Sequence, residues 1–141
     1  MRRLALILAA AAVATLVLGV TTPALGQVPQ HRVTLTGAKE PHAADRDARG
    51  QFTWSLDGRR LGYLLSVTRF TAPTAAHVHR GRAGVDNGAV VVPLTTPNPA
   101  SAGCATLTTA LARALRTTPS RYYVNVHNAQ FPGGGLRSQL G

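Results

Sequence analysis

The sequence is poor in cysteine, lysine and acidic residues, and these shortages exclude several classes of protein. Cys104 is the only cysteine in 141 residues, so no intramolecular disulfide can form and the fold must rest on a hydrophobic core. Five Asp and Glu residues stand against 15 Lys and Arg. The spacing of these carboxylates offers no acid–base pair of the kind that glycosidases use. The sequence also lacks a nucleophile elbow, a phosphate-binding loop that leads into a helix, and a zinc-protease helix.

The excess positive charge is almost entirely arginine, because Lys39 is the only lysine, and it is scattered rather than clustered. On an exported protein such a surface would meet anionic wall polymers, lipid head groups or acidic polysaccharides before nucleic acid. We therefore expect an extracellular protein or an anionic envelope polymer as partner, and no nucleic acid. A solvated, arginine-biased surface without a specific partner is the alternative.

The first 26 residues have the layout of a secretory signal peptide. Arg2 and Arg3 precede an uncharged, largely apolar run over residues 4–20, and Ala24-Leu25-Gly26 carries the small residues that suit signal peptidase. We expect cleavage before Gln27, although Thr22-Pro23-Ala24 is an alternative site. An uncleaved membrane anchor is a second interpretation, but a run of about 17 residues is at the short limit for spanning a bilayer.

Cleavage would leave one small domain. Removing residues 1–26 from the 141 leaves 115 residues and lowers the formal net charge from +10 to +8. That length is enough for one hydrophobic core and too short for two ordinary domains. The sequence therefore predicts a signal peptide over residues 1–26 and a single secreted domain over 27–141, in the bacterial cell envelope or medium, with no transmembrane segment after cleavage.

Alternation of polar and apolar residues dominates residues 27–141, and this pattern is typical of half-buried β-strands. In the clearest run, 51–56, Phe52 and Trp54 share one face. Asp57-Gly58 predicts a tight hairpin into the next strand. Residues 95–103 are interpreted as a loop, and Cys104 beside them as a half-buried structural thiol, with an intermolecular disulfide as the alternative. The further strands are predicted over 31–36, 60–69, 75–79, 89–92, 121–127 and 136–140, with one short helix over 107–115.

About seven short strands at this spacing favour an all-β fold in which two antiparallel sheets form a Greek-key sandwich. Three separated blocks of residues then form a pattern along the chain. They are Leu35-Thr36-Gly37 with Glu40-Pro41; His77-Val78-His79 with Gly81, Gly84 and Leu94; and Tyr122 to His127 with Pro132-Gly133-Gly134, Leu136-Arg137 and Gln139-Leu140. In this order and spacing, the blocks resemble the CHRD domain, which is named for the developmental antagonist chordin and is also present in many secreted microbial proteins.

The resemblance implies an immunoglobulin-like, all-β extracellular domain of largely unknown biochemical activity. The chain departs from the family pattern at Gly135, where an acidic residue is common, at Ser138, where glycine is common, and at His42, where a second proline is usual. A role for that acidic residue is therefore not carried over. The positions interpreted as motif or structural residues are Gly81, Gly84, Asn125, Pro132, Gly133, Arg137 and Gln139.

Three histidines are the candidate metal ligands. His77 and His79 lie two apart on a predicted strand, so both side chains leave the same face, and His127 ends another predicted strand. If those strands are neighbours, three imidazoles converge, and imidazole suits copper and zinc. Asp86 is the only nearby carboxylate with a case for joining them. In the alternative interpretation, His77 and His127 are structural and hydrogen-bond to loop backbone, and Asn125 does the same for another loop.

The His-x-His element is similar to that of copper-zinc superoxide dismutase. The further histidines, bridging ligand, aspartate and disulfide of that enzyme have no evident counterparts, since only His31 and His42 remain and Cys104 is alone. Dismutase activity is therefore not expected.

Two functional hypotheses follow. The first is a non-catalytic binding or structural module outside the cytoplasm, which recognises a protein or polymer through loops at one end of the sheets. The second is a copper- or zinc-binding domain, or a metalloenzyme, that uses His77, His79 and His127. No catalytic residue and no other cofactor is predicted, and the sequence favours a protein that is not an enzyme.

Overall fold

The computed structural model describes residues 28–141, and this part of the chain is mostly β-structure. One α-helix, α1 (Thr109–Thr117), and two 3₁₀ turns, Gly37–Lys39 and Pro119–Arg121, accompany the strands. An all-β domain with one short helix is thereby confirmed, whereas the predicted signal peptide lies outside the described residues. The strands are β1 (Gln30–Thr36), β2 (Arg49–Asp57), β3 (Arg60–Thr68), β4 (Pro73–Arg80), β5 (Ala89–Leu94), β6 (Ala100–Thr106), β7 (Tyr122–Asn128) and β8 (Leu136–Gln139).

All eight strands belong to one antiparallel sheet, in the order β5-β4-β7-β8-β1-β2-β3-β6. β1 and β8 share only the residue pair Thr36 with Arg137, whereas β1 pairs with β2 along its whole length. The sheet therefore consists of two halves of four strands, β5-β4-β7-β8 and β1-β2-β3-β6, which are joined at one point. The sequence predicts about seven strands in two separate sheets, and the structure has eight strands in a continuous ladder. The immunoglobulin-like arrangement stays a prediction.

Buried side chains from both halves form one hydrophobic cluster. Phe52 and Leu65 of one half, and Val78 and Val124 of the other, are fully buried in it. Because alternate side chains of a strand leave opposite faces of the sheet, each half turns an apolar face to this common core. The outer face of each half is then free to carry polar side chains.

Strand β6 is the element that the sequence pattern does not predict. Part of Ala100–Thr106 lies in the predicted loop, because its alanines, serine and glycine are weak strand formers. It forms because β3 would otherwise be an unpaired edge, and the two strands pair from Arg60 opposite Thr106 to Ser66 opposite Ala100. Cys104 lies on this edge strand and is exposed, so the prediction of a half-buried thiol is wrong.

Helix α1 begins after Thr108, whose side chain accepts a hydrogen bond from the backbone N–H of Leu111 at 3.2 Å. It starts and ends two residues later than the sequence predicts, and it buries Ala112 and Leu115 against the core. Among residues 28–141, no helix combines the length and the apolar character that crossing a membrane requires.

The outer face of the half β5-β4-β7-β8 is covered by the loop between β4 and β5, which spans residues 81–88. Arg137 of β8 holds this loop, because its guanidinium donates to the carbonyl oxygens of Val85 at 2.7 Å and Arg82 at 2.9 Å. Gln139 donates in the same way to the carbonyl oxygen of Gly81 at 2.9 Å. Arg137 is only 1% exposed as a result.

Candidate metal centre

Strands β4 and β7 bring the three histidines together on this outer face. His77 and His79 are two apart on β4 and therefore project to the same side. In the antiparallel pairing of the two strands, Asn125 lies opposite His77 and Tyr123 lies opposite His79, and His127 follows Asn125 on the same face. β4 and β7 are therefore neighbours, as convergence of the three imidazoles requires.

The three imidazole rings face one another closely. Their centroids are 5.4 Å apart for His77 and His79, 5.1 Å for His77 and His127, and 6.2 Å for His79 and His127. One ring nitrogen of each residue lies within 4.8 Å of the other two. Two nitrogens bound to one tetrahedral ion at about 2.05 Å are about 3.3 Å apart. His77 Nδ1 and His127 Nε2 are 3.2 Å apart, which is close to this separation.

Backbone carbonyls fix which nitrogen of His79 and of His127 carries the proton. His79 Nδ1 lies 2.6 Å from the Gly88 oxygen, and His127 Nδ1 lies 3.0 Å from the Pro132 oxygen. Because a carbonyl oxygen only accepts, each Nδ1 must donate, and in the neutral imidazole Nε2 then keeps a lone pair. Histidines that bind metal ions are held in the same way by their second nitrogen. Both rings therefore present a basic Nε2 to the cluster.

The Nε2 atom of His79 is buried and has no hydrogen-bond partner. The residue as a whole is 7% exposed, and buried polar atoms are normally paired. A structural role accounts for the bond from His79 Nδ1 to Gly88 but leaves this second nitrogen unexplained. An unpaired lone pair beside two further imidazoles is what a metal ligand requires.

The Nε2 atom of His127 has two close neighbours, His77 Nδ1 at 3.2 Å and Asn125 Oδ1 at 3.0 Å. Since this nitrogen carries a lone pair, His77 Nδ1 donates its proton to it when no metal is bound. The Asn125 oxygen is itself an acceptor, so that contact requires a cation between the two atoms, or an amide turned to present its NH₂ group. A metal ion would replace the shared proton and satisfy both acceptors.

Burial lowers the pKa of His77 and of His127 below the ordinary 6.5. For His77, desolvation is the largest cause, and the charges of His127 and His79 add to it. For His127, desolvation is again the largest cause, and the hydrogen bond to Pro132 opposes it, while His79 and His42 lower the pKa further. Both rings are therefore neutral at pH 7, which is the form that binds a metal ion.

The sequence pattern did not reveal the side chains that support the cluster. The Tyr123 ring stacks on His79 with centroids 4.8 Å apart, and its hydroxyl accepts from the N–H of Gly88 at 3.1 Å. Arg137 in turn lies 3.4 Å from the centre of the Tyr123 ring. The sequence gives one indication that Tyr123 supports the cluster: it shares a face of its predicted strand with Asn125 and His127.

Glu40 is a buried carboxylate near the same outer face that the sequence did not single out as functional. Its side chain is 1% exposed, its Oε2 lies 3.9 Å from Arg137, and its Oε1 has no hydrogen-bond partner. Burial raises the pKa of Glu40 from 4.5 to about 7, although the charges of Arg137 and His42 act to lower it. Within residues 28–141, Glu40 does not belong to the group of potential metal ligands.

The remaining candidate residues lie around the cluster rather than in it. Asp86 faces His42, with 3.5 Å between its Oδ1 and His42 Nε2, and is not one of the grouped ligands. Gly84 has a positive φ of 76°, which glycine adopts without strain. A side chain at Gly133 would lie against His42. Gly81 and Pro132 contribute backbone oxygens, and Arg137 and Gln139 hold the 81–88 loop, as described above.

Comparison with known proteins identifies one family. The family model for the CHRD domain matches residues 31–140, which include all three histidines and both supporting loops. No curated protein and no solved structure matches the chain. The roles of individual residues must therefore be argued from this chain alone.

The raised pKa of Glu40 predicts that its ionisation destabilises the fold. A carboxyl group with a higher pKa in the folded state stabilises that state below pH 4.5, and this contribution is lost as the pH rises to about 7. Glu40→Gln cannot ionise, so its unfolding free energy relative to the parent should rise by about 2 kcal/mol between pH 5 and pH 8. Urea unfolding at both pH values measures this difference.

Asp57→Asn is the matched control, because Asp57 lies exposed at the end of β2. Its unfolding free energy relative to the parent should be the same at both pH values. If the unfolding free energy of Glu40→Gln relative to the parent were also the same at both pH values, the account of Glu40 would be wrong.

Proposed function

The chain belongs to the CHRD domain family, and we propose that this member binds one copper or zinc ion outside the cytoplasm through His77, His79 and His127. The observation that carries the proposal is the buried, unpartnered Nε2 of His79, which lies beside two other imidazoles. A histidine with a purely structural role does not need a free lone pair at that position, whereas a metal ligand needs one.

The chemistry of the ligand set supports copper or zinc in particular. Neutral imidazole binds both metals, whereas calcium and magnesium require oxygen ligands that this group lacks. Three protein ligands leave a fourth position for water or an external group, and His77 is half-buried rather than buried. Such an arrangement can serve storage, delivery or catalysis.

The non-catalytic binding module remains a prediction from the sequence. The arginine-rich surface supports attraction to an anionic envelope polymer. The two ideas are compatible, because the metal centre occupies the outer face of one half of the sheet and leaves the other half and the exposed arginines free for contacts.

Metal analysis of protein purified without a histidine tag tests the proposal. The parent protein should retain about one copper or zinc ion per chain after dialysis, as a three-imidazole site predicts. His79→Ala should lose the ion, because it removes a ligand. Its affinity for the metal should fall by more than the loss of about 10- to 100-fold that substitutions of supporting residues cause. His77→Ala and His127→Ala should behave in the same way.

His31→Ala is the control, because His31 stacks on Trp54 at 4.4 Å in the other half of the sheet. It should bind metal like the parent. Absence of a bound ion in the parent, or equal binding by His79→Ala and His31→Ala, would contradict a metal function.

Export is part of the proposal, and the charged start, apolar run and small residues of the first 26 positions support it. Mass spectrometry of protein recovered from the culture medium or cell envelope should give an N-terminus at Gln27. A chain found only inside the cell with Met1 and its leader intact would refute export while leaving the metal site untouched.

A further inference from the structure

Strand β6 is one of the two outer strands of the sheet, and within residues 28–141 only β3 pairs with it. Directly beyond this ladder, the N–H of Leu107 donates to the Arg59 oxygen at 2.8 Å. Bonded and non-bonded residues alternate in an antiparallel ladder, so the odd-numbered residues of β6 direct their backbone groups at β3. The even-numbered residues direct theirs away from the sheet, and these include Ala102, Cys104 and Thr106.

The free backbone groups of β6 are centred on Cys104. Ala102, Cys104 and Thr106 are all exposed. The carbonyl oxygen of Ala100, the fourth even-numbered residue, already accepts a hydrogen bond from the N–H of Asn98 at 3.5 Å. A run of three residues, with the exposed cysteine in the middle, thus offers N–H and C=O groups to a further strand.

Strand β6 carries none of the features that keep outer strands from pairing with other chains. Its sequence, ASAGCAT, contains no charged residue and no proline, and its pairing with β3 has no shift in register. The other outer strand, β5, contains Pro93, and its pairing with β4 shifts between Val78 and His79. Charges, prolines and bulges are the usual protection of such strands. β5 is therefore protected, whereas β6 is open to pairing.

A second copy of β6 fits this strand. A two-fold axis at Cys104 sets the two Cys104 residues opposite each other and Ala102 opposite Thr106 of the second copy. All the opposed residues have outward N–H and C=O groups, so each pair exchanges two hydrogen bonds. The opposed side chains are small and uncharged, so they neither clash nor repel. Leu64, which pairs with Ala102 and is 53% exposed, would gain the second copy as a neighbour along its row of side chains.

We infer that β6 pairs antiparallel with β6 of a second copy of this chain, centred on Cys104, so that the two domains share one continuous sheet. The inference does not depend on the proposed metal function, because β4 and β7 lie towards the opposite end of the strand order. One strand pair gives a small interface, so the dimer is weak and depends on protein concentration.

The same pairing makes Cys104 a site of disulfide formation between the copies. Opposed residues of a hydrogen-bonded pair have Cα atoms about 5.5 Å apart, which is within the range of about 4.4–6.8 Å that disulfides require. A small disulfide such as oxidised glutathione can accept the two electrons and two protons of the paired thiols. One S–S bond then joins the copies, and the glutathione is released as two thiols. In an oxidising compartment, this bond would lock the weak dimer.

Sedimentation equilibrium of reduced protein, purified without a histidine tag, tests the pairing. Arg60 Nη2 lies 3.2 Å from Cys104 Sγ, so the two copies bring positive charges together, and about 0.3 M salt is needed to screen them. The parent should form a dimer with a dissociation constant of about 100 μM or lower. Cys104→Ser should dimerise like the parent, whereas Cys104→Lys sets like charges opposite each other and should weaken the dimer at least about tenfold. A parent that stays monomeric at about 1 mM, or equal dimerisation of the Ser and Lys variants, would overturn the inference.

The rate of disulfide formation with oxidised glutathione tests the position of the axis. The control is Cys104→Ser combined with Ala129→Cys, which moves the one thiol to an exposed residue of the loop between β7 and β8. Dimers linked through Cys104 should form at least about tenfold faster than those of the control, because pairing holds the two thiols within bonding range. Equal rates would show that the thiols meet only by collision and would overturn an axis at Cys104.

Discussion

The pairing of β4 with β7 is the constraint on which the candidate site depends. Its register sets Asn125 opposite His77 and Tyr123 opposite His79, so one face of two adjacent strands carries the three imidazoles and their closest supports. The opposite face of the same strands carries Val78 and Val124, which are fully buried in the core. A slip of one residue would exchange these faces, so the energy of the core also fixes the position of the histidines.

Long-range hydrogen bonds then decide which nitrogen each ring presents. The 81–88 loop brings the Gly88 oxygen to His79, and it stays in place because Arg137 and Gln139, more than 50 residues away in sequence, bind its backbone. The Pro132 oxygen does the same for His127. These contacts leave a lone pair on the Nε2 atom of each neutral ring, and one nitrogen of each histidine lies within 4.8 Å of the others. The loops that cover the outer face therefore act as the supporting shell of the site.

The sequence predicts the parts of this structure that follow from local patterns. Alternation around Phe52 and Trp54, and around His77 and His79, located strands and their faces, and the two histidine strands were recognised as potential neighbours. Strand β6 was not predicted, because Ala100–Thr106 forms a strand only through its pairing with β3. Nor could local patterns predict Gly88 and Pro132 as acceptors, since any residue has a carbonyl oxygen and only the tertiary fold directs it. Glu40 was missed because its pKa is raised by burial, and that burial arises only when segments distant in sequence pack around it in the tertiary fold.

X-ray absorption spectroscopy at the copper edge of the copper-loaded protein tests the central claim most directly. The account predicts three nitrogen neighbours at about 2.0 Å and the outer-shell scattering of three imidazole rings. A sulfur neighbour would indicate Cys104 instead. A shell of oxygen atoms, or a single imidazole, would show that the three histidines do not hold one ion and would contradict the account.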